Sequence, residues 1–206
     1  MSVGLPTHYQ LRLDHISHEV SRLPREAKSN VVLLGDAHVE GNNIKELNGA
    51  HVINMGIQED QLGADCHGLR DRLWHLPMAR PGHVVIMTGL NDLRDGRAPD
   101  AIERCYADLI ERVQKQSPEA TVHVALVPPT RDKYAKLMHN IALLNAMLEE
   151  LAEKKGLPFV DFFSGLEDDD GELAATYTED GYYLNDSGFD KLNEILERHL
   201  VKGDSY

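Results

Sequence analysis

The stretch VVLLGDAH, residues 31 to 38, sets the first constraint on the fold of this chain. Four consecutive apolar residues end abruptly at Gly35 and Asp36, as a buried strand does where it delivers a functional loop. An apolar run this short, closed by a glycine, favours a strand that is covered on both faces. In a hydrolase built this way a nucleophile would come next, but the residue at that position is Ala37.

Short apolar runs alternate with helical patterns over the rest of the chain. Four further strands are predicted, at residues 51–54, 83–87, 121–127 and 158–161. Helices are predicted at residues 9–28, 59–76, 99–116, 132–155 and 187–201. This alternation implies right-handed crossovers and helices on both faces of a mainly parallel sheet. The predicted fold class is therefore α/β, a three-layer α/β/α sandwich with a mainly parallel five-stranded sheet of the flavodoxin-like type.

Length and composition narrow the class of protein. A chain of 206 residues is most simply one domain, residues 1–206, with residues 1–28 as a leading helical segment. The net charge of −13 argues against nucleic acid or an anionic membrane surface as the main partner. No apolar run approaches the ~18 residues of a membrane span. We therefore expect a soluble cytoplasmic protein without membrane insertion, in which Cys66 and Cys105 stay reduced.

The binding site of such a sheet forms beyond the carboxyl ends of its strands. Three segments follow predicted strands there: GDAH at residues 35–38, NMGIQED at 54–60 and TGLND at 88–92. A fourth, TEDGYYLNDSGF at residues 178–189, leads into the last predicted helix.

Taken in order, these four segments resemble the motifs of the SGNH (GDSL-type) esterases and acylhydrolases. That family reads G-D-S, then N-x-G-x-x-G, then G-x-N-D, and finally D-G-x-H-L-N-x-x-G. The resemblance covers roughly residues 29 to 201 and implies the SGNH-hydrolase fold. In the family, the serine attacks an ester carbonyl, and a histidine oriented by an aspartate activates it. The serine amide, the second-motif glycine and the third-motif asparagine stabilise the oxyanion.

Residue by residue, the resemblance implies an incomplete catalytic machinery. The positions that match are Gly35, Asp36, Asn54, Gly56, Gly89, Asn91, Asp92, Asp180, Gly181, Leu184, Asn185 and Gly188. The nucleophile position holds Ala37, the oxyanion glycine position holds Glu59, and the histidine position holds Tyr183. A methyl group has no attacking atom, and a phenol of pKa ~10 is a poor proton acceptor at neutral pH.

The leading hypothesis is a non-catalytic or impaired hydrolase-like protein that binds a small molecule or a protein partner, with no cofactor and no metal. No residue is assigned as catalytic; the degenerate positions are Ala37, Glu59, Asn91, Asp180 and Tyr183. The ligand-binding candidates are Asp36, His38, Gly56, Asn91 and Asp180. Asn91 and Asp180 are open to two interpretations, as ligand anchors or as framework that ties loops together. Three changes in three separated loops favour a natural lineage over an engineered inactive esterase.

The alternative hypothesis is an ester hydrolase with relocated or metal-assisted groups. Asp36 and His38 at a strand end resemble the first metal-binding pair of binuclear metallophosphoesterases, and Asn91 and Asp180 would complete the set.

Other polar side chains have more ordinary interpretations. Arg94 and Arg97 are predicted to lie in a solvated loop, with anion binding as the alternative. Ser187 is predicted to cap the last helix.

Leu73, Trp74 and Leu76 are predicted to be core or cleft wall. Six further histidines are predicted to be surface or boundary residues, namely those at positions 51, 67, 75, 83, 123 and 139.

Overall fold

The sheet of the computed structural model, which describes residues 7–24, 26–27, 29–62 and 68–203, has six strands. They are β1 (Asn30–Gly35), β2 (Glu46–Leu47), β3 (Ala50–Gly56), β4 (Pro81–Met87), β5 (Thr121–Ala125) and β6 (Phe159–Val160). Their order is β2-β3-β1-β4-β5-β6, and every pairing is parallel except that of β2 with β3. The five predicted strands and their mainly parallel arrangement are confirmed.

Strand β2 is the one that sequence reasoning missed. It is only two residues long, and Asn48 and Gly49 connect it to β3 with positive φ angles of 50° and 79°. Asn-Gly is a strong signal for a tight hairpin turn, because both residues tolerate left-handed backbone. The signal was present in the sequence, although the run before it was too short to count as a strand.

The helices lie between the strands as the alternation predicts. They are α1 (His8–Ser21), α2 (Ala37–Glu40), α3 (Leu76–Ala79), α4 (Leu90–Arg94), α5 (Pro99–Gln116), α6 (Met138–Lys155), α7 (Phe163–Leu166) and α8 (Asp186–Gly203). Short 3₁₀ stretches occur at Leu69–His75, Asp132–Leu137 and Ala175–Tyr177. No helix in the described part of the chain is both long and apolar enough to cross a membrane.

Two predicted helices need correction. The leading helix ends at Ser21 rather than at residue 28; Arg25 and Lys28 lie outside the described residues. The helix predicted at residues 59–76 is wrong over residues 59–62, which are not helical, and the described helical structure starts at Leu69; residues 63–67 lie outside the described residues. The carbonyls of Gln58 and Asp60 accept hydrogen bonds from the Asn91 side chain instead of continuing into a helix.

Apolar side chains of the strands pack on both faces of the sheet. Val32 and Leu34 of β1 face a core formed mainly with α1, α5 and α6, and Val31 and Leu33 face a second core with α8. All six residues of β1 are buried, as a central strand between two helical layers requires. Leu73 and Leu76 are core residues, but Trp74 is 57% exposed, so its predicted place in a core or cleft wall is wrong.

A buried guanidinium joins the carboxyl ends of the central strands. Arg72 donates hydrogen bonds to the carbonyl of Gly35 at the end of β1 (2.9 Å) and to that of Met55 in β3 (2.6 Å). It also pairs with the buried carboxylate of Asp60. These contacts, which we call the Arg72 clamp, fix the starting points of the first two site loops.

Replacing Arg72 with Met should lower the free energy of unfolding by about 3–5 kcal/mol, because it leaves the Asp60 carboxylate buried without its partner. Denaturant unfolding measures the change. The control is Arg104→Met, which removes an exposed pair with Asp100 and should leave the free energy of unfolding almost unchanged. Equal losses in the two variants would contradict the structural role of the clamp.

Candidate functional site

The first site loop turns directly from β1 into α2. Asp36 caps α2 by accepting a hydrogen bond from the His38 amide (3.2 Å), and Ala37 is the first residue of the helix. Gly35 packs so tightly on β4 that a Cβ atom there would lie 1.9 Å from the Met87 carbonyl oxygen. Only glycine fits this position, so the Gly-Asp pair sets how residue 37 is presented.

The second loop is joined to the first by the Asn54 side chain. Its amide nitrogen donates to the carbonyls of Val39 (2.5 Å) and Asn42 (2.7 Å), and its oxygen accepts from the Gly56 amide (2.9 Å). A Cβ atom on Gly56 would lie 2.2 Å from the Glu40 nitrogen. Gly56, which was predicted to contact a ligand, therefore packs directly against the backbone of α2.

Asn91 lies on α4 and is 1% exposed. Its amide nitrogen donates to the carbonyls of Gln58 and Asp60, both at 3.0 Å, and its oxygen accepts from the Tyr182 hydroxyl at 2.8 Å. A carboxamide has two N–H hydrogens, and both are used here. This geometry supports the framework interpretation of Asn91.

Asp180 organises the backbone of the last motif. Its Oδ1 atom accepts hydrogen bonds from the amides of Tyr182 and Tyr183, each at 2.9 Å. Burial raises the pKa of the Tyr183 phenol above its ordinary value, and the nearby Glu59 carboxylate raises it further. The phenol is therefore neutral at physiological pH and has no strongly basic atom to accept a proton.

Ala37 and Tyr183 face one cleft of about 290 Å³. The cleft is lined by Ala37, His38, Glu40, Gly41, Gln58, Tyr183, Leu184 and Phe189. A second cavity of about 480 Å³ shares Tyr183 and Leu184 with it and is also lined by Asp180. The structure thus brings together two of the three positions at which the family residue is replaced, and Asn91, bonded to the Tyr182 hydroxyl, is absent from the lining.

The third replaced position, Glu59, forms an ion pair with an arginine. Its carboxylate pairs with Arg94 at 3.0 Å, and Arg94 also contacts Asp95. Arg97 pairs with Asp92 at 2.9 Å. Both arginines therefore make ion pairs with carboxylates of the same loops. This arrangement agrees better with the predicted loop role than with a site that binds an anion.

His38 connects the first loop to the last motif. Its ring is 2% exposed, with Nε2 at 2.9 Å from the Tyr182 carbonyl and Nδ1 at 3.5 Å from the Asp36 carboxylate. Burial lowers the pKa of His38, but Asp36 and the Tyr182 carbonyl raise it more, and the net pKa is raised. An acceptor lies at each ring nitrogen, so both nitrogens are engaged within the protein.

Sequence reasoning missed Tyr182, the residue whose hydroxyl and carbonyl engage Asn91 and His38. Its only signal was an aromatic residue at the unspecified position of D-G-x-H. The capping role predicted for Ser187 is wrong, because α8 already starts at Asp186 and Asn185 Oδ1 accepts from the Gly188 amide at 3.0 Å.

The predicted surface positions of the histidines hold only in part. His51 and His139 are exposed and His83 is partly buried, but His75 and His123 are each 1% exposed, so the prediction is wrong for these two. Cys105 forms a disulfide bond, so the expectation of a reduced thiol is wrong there. His67 and Cys66 lie outside the described residues.

Comparison with known proteins places these motifs in a family. The profile of the GDSL-like Lipase/Acylhydrolase family matches residues 33–191. The chain belongs to this family. No curated protein sequence matches the chain significantly.

Solved structures show the same fold. A GDSL-like lipase from Bacteroides thetaiotaomicron is 21% identical over 93% of this chain and 98% of its own, with a TM-score of 0.77. A candidate acylhydrolase from Bacteroides fragilis is 21% identical over 93% and 96%, with a TM-score of 0.76. A candidate platelet activating factor protein from Streptococcus pneumonia is 22% identical over 92% and 91%, with a TM-score of 0.77.

The His38 bridge should make the stability of this chain depend on pH in one direction. Because the pKa of His38 is raised in the fold, its contribution is complete below the unfolded value of about 6.5 and is lost as pH rises through the folded pKa. Replacing His38 with Gln should remove that loss. Urea midpoints measured from pH 6 to pH 9 test this, with exposed His139→Gln as the control. Identical pH profiles for wild type and His38→Gln would contradict the assignment.

Proposed function

We propose that this GDSL-like family member lacks serine-esterase chemistry and uses the cleft beside Ala37 to bind a small molecule or a protein partner. One observation carries the proposal: the cleft that would hold the reacting ester presents the Ala37 methyl and the Tyr183 phenol. The methyl group cannot form an acyl-enzyme, and the neutral phenol cannot activate a hydroxyl or water.

The oxyanion-stabilising groups support the same proposal. Both N–H hydrogens of Asn91 are directed at backbone carbonyls, and Tyr182 occupies its oxygen. A donor contributes to catalysis only where it points at the position of the developing oxyanion. Asn91 therefore supports a fixed framework around the cleft rather than a reaction within it.

The lining of the cleft suits binding of a small, mainly apolar group. Leu184, Phe189 and the Ala37 methyl supply apolar surface, and Gln58 and Tyr183 supply polar atoms at the same cavity. Ligand sites commonly combine an apolar wall with a few polar groups that fix orientation.

The geometry gives little support to a relocated or metal-assisted hydrolase. Asp36 and His38 contact each other, and the His38 ring also holds the Tyr182 carbonyl. Within the described residues, no three His, Cys, Asp or Glu side chains are grouped so that they could hold a metal ion. A chelator-sensitive esterase activity with stoichiometric metal by elemental analysis would favour that alternative, and a serine codon at position 37 of the natural gene would favour the engineered one.

The wider biological assignments stay predictions. These are a single domain over residues 1–206, a cytoplasmic location and a partner other than nucleic acid.

Hydrolysis of short-chain p-nitrophenyl esters tests the lack of esterase chemistry. Wild type should show no turnover above a buffer blank containing serum albumin at the same concentration. The triple variant Ala37→Ser, Glu59→Gly and Tyr183→His restores the family motif. It should gain measurable activity, because it restores the nucleophile, the histidine and the second-motif glycine together.

A matched control carries Ala142→Ser with the same changes at positions 59 and 183. Ala142 lies on the exposed face of α6, so this variant adds the same hydroxyl outside the cleft and should stay inactive. Enzyme-like turnover by the wild-type protein would overturn the proposal.

Ligand binding is tested separately with butyrate and 1-butanol as probes. Both should shift the NMR methyl signals of Ala37 and Leu184 in a saturable manner. Ala37→Leu should weaken the shift of Leu184 by filling the cleft, whereas Ala142→Leu on the exposed face of α6 should not. Equal effects of the two substitutions would show that the probes bind elsewhere.

A further inference from the structure

Three histidines from three different elements form a hydrogen-bonded series beneath α8. His83 Nδ1 lies 3.0 Å from His123 Nε2, and His123 Nδ1 lies 2.9 Å from His199 Nε2. His83 is on β4, His123 is on the neighbouring β5, and His199 is near the end of α8. We call these residues the histidine chain. It is remote from the cleft lining and unused by the proposed function.

The number of protons that this arrangement can hold is fixed by its geometry. Each N···N contact needs one proton, because two lone pairs or two N–H groups facing each other would repel. The two outer ring nitrogens, on His83 and His199, can each carry one more. The intact chain therefore holds at most one proton beyond its three neutral rings, whereas three separate histidines can take up three.

We propose that the histidine chain anchors α8 to the sheet at neutral pH and that acid disrupts it. Disruption occurs when the three rings take up a second proton beyond those of their neutral forms. The one excess proton can reside on any of the three rings, but a second would place two N–H groups face to face in one of the contacts. His123 is 1% exposed, and the titratable groups acting on it from the described elements are His199 on α8 and His83 on β4. Pairing of β5 with β6 brings Phe159 opposite Val124 and adds no titratable side chain from that strand.

Helix α8 connects the histidine chain to the cleft and to the second core. The helix begins at Asp186, places Phe189 in the cleft lining and packs Leu192, Leu196 and Leu200 on the second core. Loss of the contacts at His199 would therefore loosen the end of an element whose beginning forms part of the cleft.

The sign of the effect follows from proton uptake. Burial, and then the neighbouring His199 and His83, lower the pKa of His123 to about 3. A base with a lowered folded pKa stabilises the fold fully above its unfolded value of about 6.5, and this stability is lost as pH falls below it. Near pH 5 the unfolded chain binds up to about two more protons at these three rings than the folded chain does. The unfolding equilibrium constant should then rise up to about 100-fold per pH unit.

Urea unfolding of wild type and His123→Leu between pH 8 and pH 4.5 tests the proposal. Substitution of the middle ring removes both N···N contacts and with them the limit on how many protons the fold accepts there. The wild-type unfolding constant should rise more steeply with acid than that of His123→Leu, by a difference approaching two protons near pH 5. The exposed His139→Gln control should keep the wild-type slope. Equal slopes for wild type and His123→Leu would overturn the proposal.

Imidazole ¹⁵N NMR of the wild-type protein decides the question even if His123→Leu does not fold. The expected spectrum shows scalar coupling across both N–H···N contacts at pH 8 and uptake of no more than one proton by the three folded rings together down to pH 5. Uptake of a second proton with both couplings retained, or the lack of coupling at pH 8, would overturn it.

Discussion

The Arg72 clamp is the interaction on which the site geometry depends. Strands that end at the edge of a parallel sheet leave carbonyl groups that must find donors when they are buried. One guanidinium supplies them to Gly35 and Met55, and Asp60 balances its charge. Because Gly35 precedes Ala37 and Asp60 follows Glu59, one side chain positions two of the three loops in which the family motif is altered.

Tyr182 extends this framework from the strand ends to the last motif. Its hydroxyl holds Asn91, and its carbonyl holds His38. Polar groups that the family places around a reacting ester are thus satisfied here by other parts of the chain. A fully satisfied buried network rigidifies a site, since each member would be costly to expose alone. A chain with this network keeps the family fold without the serine, which explains how four recognisable motifs persist around a methyl group.

The sequence predicted the elements that are set by a local hydrophobic pattern. Predictions failed for segments whose conformation is set by contacts between residues far apart in the chain. The run at residues 31–34 and the periodicity over residues 99–116 gave β1 and α5 closely, because both segments bury a continuous apolar surface. The non-helical path of residues 59–62 could not be predicted, since the carbonyls of Gln58 and Asp60 bind Asn91, about thirty residues later. His123 looked like a boundary residue because both of its partners lie in other elements.

Two histidine contacts act on the final segment of the chain with opposite dependence on pH. The contact of His38 with the Asp36 carboxylate is strengthened by a protonated ring and weakens as pH rises, whereas the histidine chain accepts only one excess proton and weakens as pH falls. His38 also holds the loop before α8, and the histidine chain holds the end of α8. Stability of this segment should therefore peak between the two transitions, and each contact can be removed without touching the other because they share no residue.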